Sequence, residues 1–334
     1  MPILKANNLS IKRAAAIIKN GGIVAFPTET VYGLGADAFN PQAVEKIFKA
    51  KGRPSDNPLI VHIRSCDDLR LVAKNIPAIA GILIKKFWPG ALTLILKKKK
   101  MIPNIVSGGL DTVAVRMPNN KTALKLIKQA GVPIAAPSAN ISGRPSGTNA
   151  QTVLEDFGNN IDLILDGGQT KIGVESTVLD LTVKPPTILR QGGVTVEEIR
   201  KIITSVAIMD SRLRGNDRKD QNRPKSPGMQ YRHYAPKAPL VLTNNILKYL
   251  KIHPEKNIGI LTTRENLNNF INLPNVVSMG SHKNLKECAR NLFTCLRKFD
   301  KLDIRLIICE TFPKKGLGAA IMERLEKAAG SNHE

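Results

Sequence analysis

Lys51, Arg53 and Asn57 fall within one short segment, KGRPSDNP, between a helical stretch and an apolar run. Two cations, a hydroxyl and an amide on one loop are groups that hold an anion, and phosphate suits both a guanidinium fork and an ammonium. Thr28-Glu29-Thr30 follows the apolar run 22–26 directly after Pro27, and His62 lies in the run 59–63. In DTVAVR, Thr112, Ala114 and Arg116 alternate, so on a strand they share one side. An arginine near the end of an apolar strand is costly unless it meets an anion. A carboxylate from a ligand or a structural aspartate would answer equally well. Ser138-Ala139-Asn140 follows Ala136 at the end of another apolar run, with Ser146 soon after, and Ser176 and Arg190 sit in GVESTVLD and ILRQGG. Polar groups delivered to loops by rigid elements mark a site. The plainer reading of Lys51 and Arg53 is the basic end of a helix, favoured by its dipole.

The elements that must position these groups can be read from punctuation and period. Residues 22–26 are bounded by glycine and proline and read as a buried strand; Gly33 and Gly35 read as flexible loop. Pro41 opens a helix that runs to about residue 51, with Val44, Ile47 and Phe48 on one face. Before it, residues 10–20 form an amphipathic helix with Ser10 as its cap. Strands are expected at 91–96, 112–116, 132–136, 163–166 and 173–180. Helices are expected at 67–73, 76–87, 121–130 and 149–157, and at Thr195 with Glu198 three residues on. No GxxxxGK[ST] loop occurs, and no GxGxxG follows a strand. A bound nucleotide must therefore be held by side chains.

Residues 206–226 lose all apolar period and read as a linker or insertion. The segment 226–236, SPGMQYRHYAP, then brings Tyr231, Arg232, His233 and Tyr234 together, more chemistry than a spacer requires. Beyond it, strands near 240–242, 258–261 and 304–309 alternate with helices near 284–299 and 317–329, a small α/β unit. Gly316-Leu317-Gly318 reads as a tight turn more readily than as an anion site. The domain division expected is 1–205, a linker at 206–237, and 238–334.

The net charge of +23, from 50 Lys and Arg against 27 Asp and Glu in 334 residues, suits an anionic partner such as a nucleotide or RNA. Aromatics at 4% leave few stacking platforms for single-stranded RNA. The four cysteines lack CxxC spacing and read as reduced thiols. With no leader pattern and no run of about 18 to 20 apolar residues, the expected location is cytoplasmic.

Taken together, PTETVYGLG, GRPSDNPL, SANISG, ESTVLDL and ILRQGG resemble the blocks of the YrdC-type threonylcarbamoyl-AMP synthase family in its long two-domain form. The family's Lys-x-Arg and Ser-x-Asn signature is met by Lys51, Arg53, Ser138 and Asn140, and SPGMQYRHYAP is similar to its interdomain linker. The basic stretch 212–225 departs from the pattern. The resemblance implies an α/β fold: an N-terminal twisted mixed sheet with helices and a concave basic cleft, followed by a smaller Rossmann-like domain. It implies a nucleotidyltransferase that converts L-threonine, bicarbonate or CO2, and ATP with Mg2+ to threonylcarbamoyl-AMP and pyrophosphate. The product would pass to a tRNA threonylcarbamoyltransferase modifying the adenosine beside the anticodon, with tRNA or double-stranded RNA as a further anionic partner. It implies ATP at Lys51, Arg53, Asn57, Thr112, Ser138, Asn140, Ser146, Arg190, Tyr231 and His233. Threonine would lie at Thr30, His62, Arg116, Ala136 and Ser176, and no metal ligand comes from the protein. Segment 226–236 would close over the cleft as a lid. The rival readings are an RNA-binding module without catalysis and a carbamoyl-transfer enzyme.

Overall fold

The computed structural model describes residues 2–209, 233–254 and 257–330. They form two compact units. One comprises 2–142, 147–171 and 175–209; the other takes 143–146, 172–174 and the described residues from 233 onward. The second unit thus includes two short segments that the expected division at 205 leaves in the first.

The first unit is built on one mixed sheet. Its strands are β1 (Ile3–Lys5), β2 (Val24–Phe26), β3 (Gly33–Asp37), β4 (Ile60–His62), β5 (Ala73–Lys74), β6 (Leu92–Lys98), β7 (Thr112–Arg116), β8 (Ile134–Ala135), β9 (Leu163–Asp166), β10 (Thr177–Asp180), β11 (Thr187–Arg190) and β12 (Ala207–Ile208). The order is β1-β9-β2-β3-β8-β4-β7-β6-β10-β11-β12, with β5 on β6. At one end, Val24, Phe26, Leu163 and Leu165 pack against Ile11, Ala14 and Ile18 of the helix Asn8–Lys19 and Leu126 and Ile127 of the helix Lys121–Ala130. Toward the other end, Ile60, Ala114, Ile95 and Val178 form a separate apolar cluster. Cross-strand register sets these four on one face with His62, Arg116, Thr93 and Arg190.

The helix Pro41–Lys51 forms where its punctuation says: Asn40 caps the Ala43 amide, Pro41 opens the first turn, and Gly52 closes it at φ 59. Thr195 and Glu198 make the expected capping box. Two local expectations fail. Asn7, not Ser10, caps the first helix; Ser10 is its reciprocal partner, its hydroxyl accepting from the Asn7 amide in a box that starts three residues earlier. Gly33 and Gly35 are not a flexible loop but part of β3, paired with Phe26 and Val24. Glycine is needed there for space: a Cβ on Gly35 would come 2.6 Å from Ile134 Cγ2 and 2.7 Å from the Phe26 ring.

The second unit holds four parallel strands, β13 (Leu240–Thr243), β14 (Ile258–Thr262), β15 (Val276–Ser278) and β16 (Leu306–Glu310), in the order β13-β16-β14-β15. The helices Leu285–Phe299 and Leu317–Ala329 complete it, the second starting at Gly316 without a side-chain cap. Tyr234 belongs to this core: 5% exposed, it stacks on Phe293 at 5.2 Å, with the Arg324 guanidinium 5.8 Å from its ring centre. No helix among the described residues is long and apolar enough to cross a membrane.

Gly35→Ala should therefore destabilise the first unit by about 1 to 3 kcal/mol, the usual cost of overpacking a tight core. A lowered urea midpoint with an unchanged slope is the expected reading.

Candidate active site

The sequence-predicted residues of the first unit come from strands of the sheet, from the loops beside them and from the end of the helix Pro41–Lys51, and Arg116 is the centre of one group. It ends β7 at 3% exposure, opposite His62 at the end of β4. Its Nε donates to the Gly90 carbonyl at 3.1 Å, and Nη1 donates to Thr30 Oγ1 at 2.9 Å. Thr30 Oγ1 also shares a 2.8 Å hydrogen bond with Thr28 Oγ1, which in turn donates to the Val31 carbonyl at 2.6 Å. The loop between β2 and β3 is thereby fastened to the far strand by hydroxyls.

The third guanidinium nitrogen behaves differently. Arg116 Nη2 lies 2.7 Å from Glu29 Oε1, with both side chains almost fully buried. Yet Nη2 donates no hydrogen bond, and neither Glu29 oxygen accepts one. Charge faces charge, but off the N–H directions that would make the contact a charge-assisted hydrogen bond.

His62 is held by its Nδ1 at 3.2 Å from the Ile60 carbonyl, and its ring meets Phe26 edge-on at 6.0 Å. Burial, and then the positive charge of Arg116, push its pKa down to about 3. The imidazole is therefore neutral near pH 7. Ala136, 2% exposed, donates its amide to the Ile60 carbonyl at 2.9 Å, so it stands beside β4. Ser176 shares a 2.8 Å hydrogen bond with Thr93 Oγ1.

Ser176 also links this group to the second one. Arg190 Nε and Nη2 donate to the Ser176 carbonyl at 3.1 and 3.0 Å, and Nη2 reaches Ser176 Oγ at 3.2 Å. Lys51, 2% exposed, donates its Nζ to the Ser138 carbonyl at 2.7 Å and to the Asn140 carbonyl. The ammonium therefore fixes the Ser138–Asn140 turn to the end of the helix Pro41–Lys51. Arg53 Nε and Nη2 donate to the Asn57 and Pro58 carbonyls at 3.2 and 3.0 Å, curling their shared loop. Asn57 is 1% exposed, and its Oδ1 is buried without a hydrogen-bond partner, a polar atom oriented for something else. Thr112 starts β7, paired with Lys97.

Ser146 and His233 belong to the second unit. Tyr231 and Arg232, with most of the expected lid at 226–236, lie outside the described residues. Sequence reasoning passed over Glu29, Thr93 and the Gly90 carbonyl as site groups. Only Glu29 carried a signal: a lone acid between two hydroxyls where a buried strand stops.

The arrangement defines an α/β protein with buried cationic, hydroxyl and imidazole side chains gathered at strand and helix ends. A family model described as "Telomere recombination" matches residues 16–192, and one described as "Threonylcarbamoyl-AMP synthase, C-terminal domain" matches 194–330. The chain is 48% identical to the threonylcarbamoyl-AMP synthase of Pyrococcus abyssi, covering 96% of this chain and 94% of the relative. It is 47% identical to that of Bacillus subtilis, covering 98% and 95%. The crystal structure of P. abyssi Sua5 complexed with L-threonine superposes with a TM-score of 0.92 at 45% identity, covering 100% of this chain and 99% of that one. The chain belongs to the threonylcarbamoyl-AMP synthase family.

The neutral His62 has a consequence for stability. An unfolded chain protonates this histidine near pH 6.5, whereas the folded one resists until about pH 3. Its contribution is full above pH 6.5 and is lost as pH falls toward 3, at up to about 1.4 kcal/mol per pH unit. Between pH 7 and 5, His62→Gln should lose about 2 kcal/mol less stability than the wild type. Parallel urea midpoints for the two proteins across that range would contradict the neutral, buried imidazole.

Proposed function

We propose that this chain joins L-threonine, bicarbonate or CO2, and ATP to form threonylcarbamoyl-AMP and pyrophosphate. The observation that carries the reading is Arg116: a buried guanidinium with one nitrogen making no hydrogen bond, held by Thr30 and set opposite His62. The P. abyssi relative has L-threonine bound. We assign the same amino acid here to that group, its carboxylate on Arg116 and its side chain toward the small Ala136. The neutral His62 adds no second positive charge there.

ATP is assigned to Lys51, Arg53, Asn57, Thr112, Ser138, Asn140 and Arg190. The roles of Ser146, Tyr231 and His233 at the nucleotide rest on the sequence reading alone. The threonine ammonium first gives up a proton; the neutral amine then forms an N–C bond to the carbon of CO2 and releases a second proton, leaving a carbamate. A carbamate oxygen then bonds to the α-phosphorus as pyrophosphate leaves. Such a transfer needs positioning and neutralised charge more than a dedicated nucleophile. The guanidinium groups of Arg53 and Arg190 supply charge, and Lys51 holds the turn that carries Ser138 and Asn140.

Among the described residues, no group of three or more His, Cys, Asp or Glu side chains is placed to hold a metal ion. Among the described residues Mg2+ is offered no such cage. The expected ion would be carried on the phosphates of ATP, where it would neutralise their charge. The product is a mixed anhydride, an activated acyl donor, and the family resemblance assigns its consumption to a threonylcarbamoyl transferase acting on tRNA.

Two measurements test the assignment. Arg53→Ala should slow pyrophosphate release in the presence of threonine and bicarbonate by on the order of 10² to 10³, the loss of a charge-assisted phosphate contact. Wild-type rates would sink the nucleotide assignment. Arg116→Lys keeps the charge but loses the fork, and should weaken threonine binding by about ten- to a hundredfold with ATP binding retained. Equal loss of both ligands would place Arg116 in the scaffold instead.

A further inference from the structure

Within the threonine site read above, one buried group has no role yet. Glu29 is 6% exposed, both of its oxygens are buried, and neither accepts a hydrogen bond. A carboxylate so placed is costly unless a donor meets it. The donor nearest at hand, Arg116 Nη2, lies 2.7 Å away and is not directed at it. The other two guanidinium nitrogens are committed, Nε to the Gly90 carbonyl and Nη1 to Thr30 Oγ1.

The result is a matched pair of unused groups: two N–H bonds on Nη2, and the lone pairs of a carboxylate beside them. An α-amino acid presents the complementary pair, a carboxylate and an ammonium on adjacent carbons. A purely structural salt bridge would align N–H with oxygen, as the bidentate geometry of arginine and carboxylate readily allows. This one leaves both hydrogen-bonding capacities open.

We propose that Glu29 is the receptor for the α-ammonium of the amino-acid substrate, forming with Arg116 a clamp for the zwitterion. The inference rests on Arg116 as the carboxylate partner. It adds that selection for an amino acid over the matching hydroxy acid or deaminated acid comes from Glu29. It also explains why a carboxylate stands in a site that must accept another carboxylate: without Glu29, Arg116 would bind any small anion, bicarbonate included. With the pair in place, an anion alone gains Arg116 but faces Glu29, and a zwitterion satisfies both.

The test is Glu29→Gln, which keeps the shape and removes the charge, with Glu29→Asp as the charge-retaining variant. Binding of L-threonine and of 3-hydroxybutanoate, the same skeleton without the amine, is measured by calorimetry. ATP affinity serves as the check that the site has folded. Glu29→Gln should weaken threonine at least tenfold, leave 3-hydroxybutanoate unchanged or tighter, and leave ATP unchanged; Glu29→Asp should recover part of the threonine affinity. Equal weakening of threonine and 3-hydroxybutanoate would overturn the proposal, since that is what a scaffold role predicts. So would a changed Mg2+ dependence with threonine binding intact, which would assign Glu29 to a metal. If Glu29→Gln loses ATP binding as well, the comparison moves to Glu29→Asp, where a ratio of threonine to 3-hydroxybutanoate affinity equal to the wild type's overturns it. If Arg116→Lys fails to weaken threonine, the site reading itself falls; if only the Glu29 variants fail, this inference falls alone.

Discussion

The site depends on a guanidinium buried at the end of a central strand. Removing a charge from water costs several kcal/mol unless its surroundings replace the lost hydration. At Arg116 those surroundings come from four separate parts of the chain. The turn after Trp88 gives the Gly90 carbonyl, the loop after β2 gives Thr30 and Glu29, β4 sets His62 alongside, and β7 supplies the arginine itself. None of these segments could shift without leaving a buried polar group unmet. The position of Arg116 thus ties the β2–β3 loop to strands four places away in the sheet, and the neutrality of His62 follows from the same burial and the same charge.

Strand β7 then fixes the distance between the two groups of ligand-facing residues. Thr112 and Arg116 share a face four residues apart, about 13 Å at the usual rise of a strand. Side chains between them on this face are apolar: Ala114, with Ile60 and Ile95 beside it. An apolar floor between the two ends proposed for nucleotide and amino acid suits a reaction whose carbamate and mixed anhydride are both destroyed by water. Ser176 and Arg190 close the other side, where one serine hydrogen-bonds toward Thr93 and is held by the arginine.

How much of this was legible in the sequence varied with the range of the interaction that decides it. The helix Pro41–Lys51 was readable to the residue because Asn40, Pro41 and Gly52 act locally. Thr112 and Arg116 were placed on one face by the period of two alone. The role of Gly35 was not readable: glycine suggests a loop, and only the ring of Phe26 on a neighbouring strand shows why a strand needs it. β8, Ile134–Ala135, lies inside the strand expected at 132–136, of which only these two residues form it. Arg116 was recognised as needing an anion, and an aspartate or a ligand was the natural guess. That the buried carboxylate beside it is Glu29, brought across by a loop whose neighbouring Thr30 is 86 positions away in sequence, is a property of the sheet order and appears only in three dimensions.

The distribution of charge between the two ends follows the charge of what each must hold. Around the end proposed for threonine, Arg116 and Glu29 sum to zero and His62 is uncharged, so the end is formally neutral, as is a zwitterionic amino acid. The end assigned to the nucleotide has Lys51, Arg53 and Arg190, three basic side chains, matched to a polyanion. Were His62 protonated, the threonine end would be a net cation and would compete for the phosphates at short range, where interior screening is weak. Were Glu29 absent, the same would hold without any change of pH. The neutrality of one end is therefore what allows the other to be strongly basic while each substrate still finds its own place. The large positive charge of the whole chain does not blur that choice, because exposed charges are screened within about 10 Å at moderate ionic strength, whereas these buried ones are not.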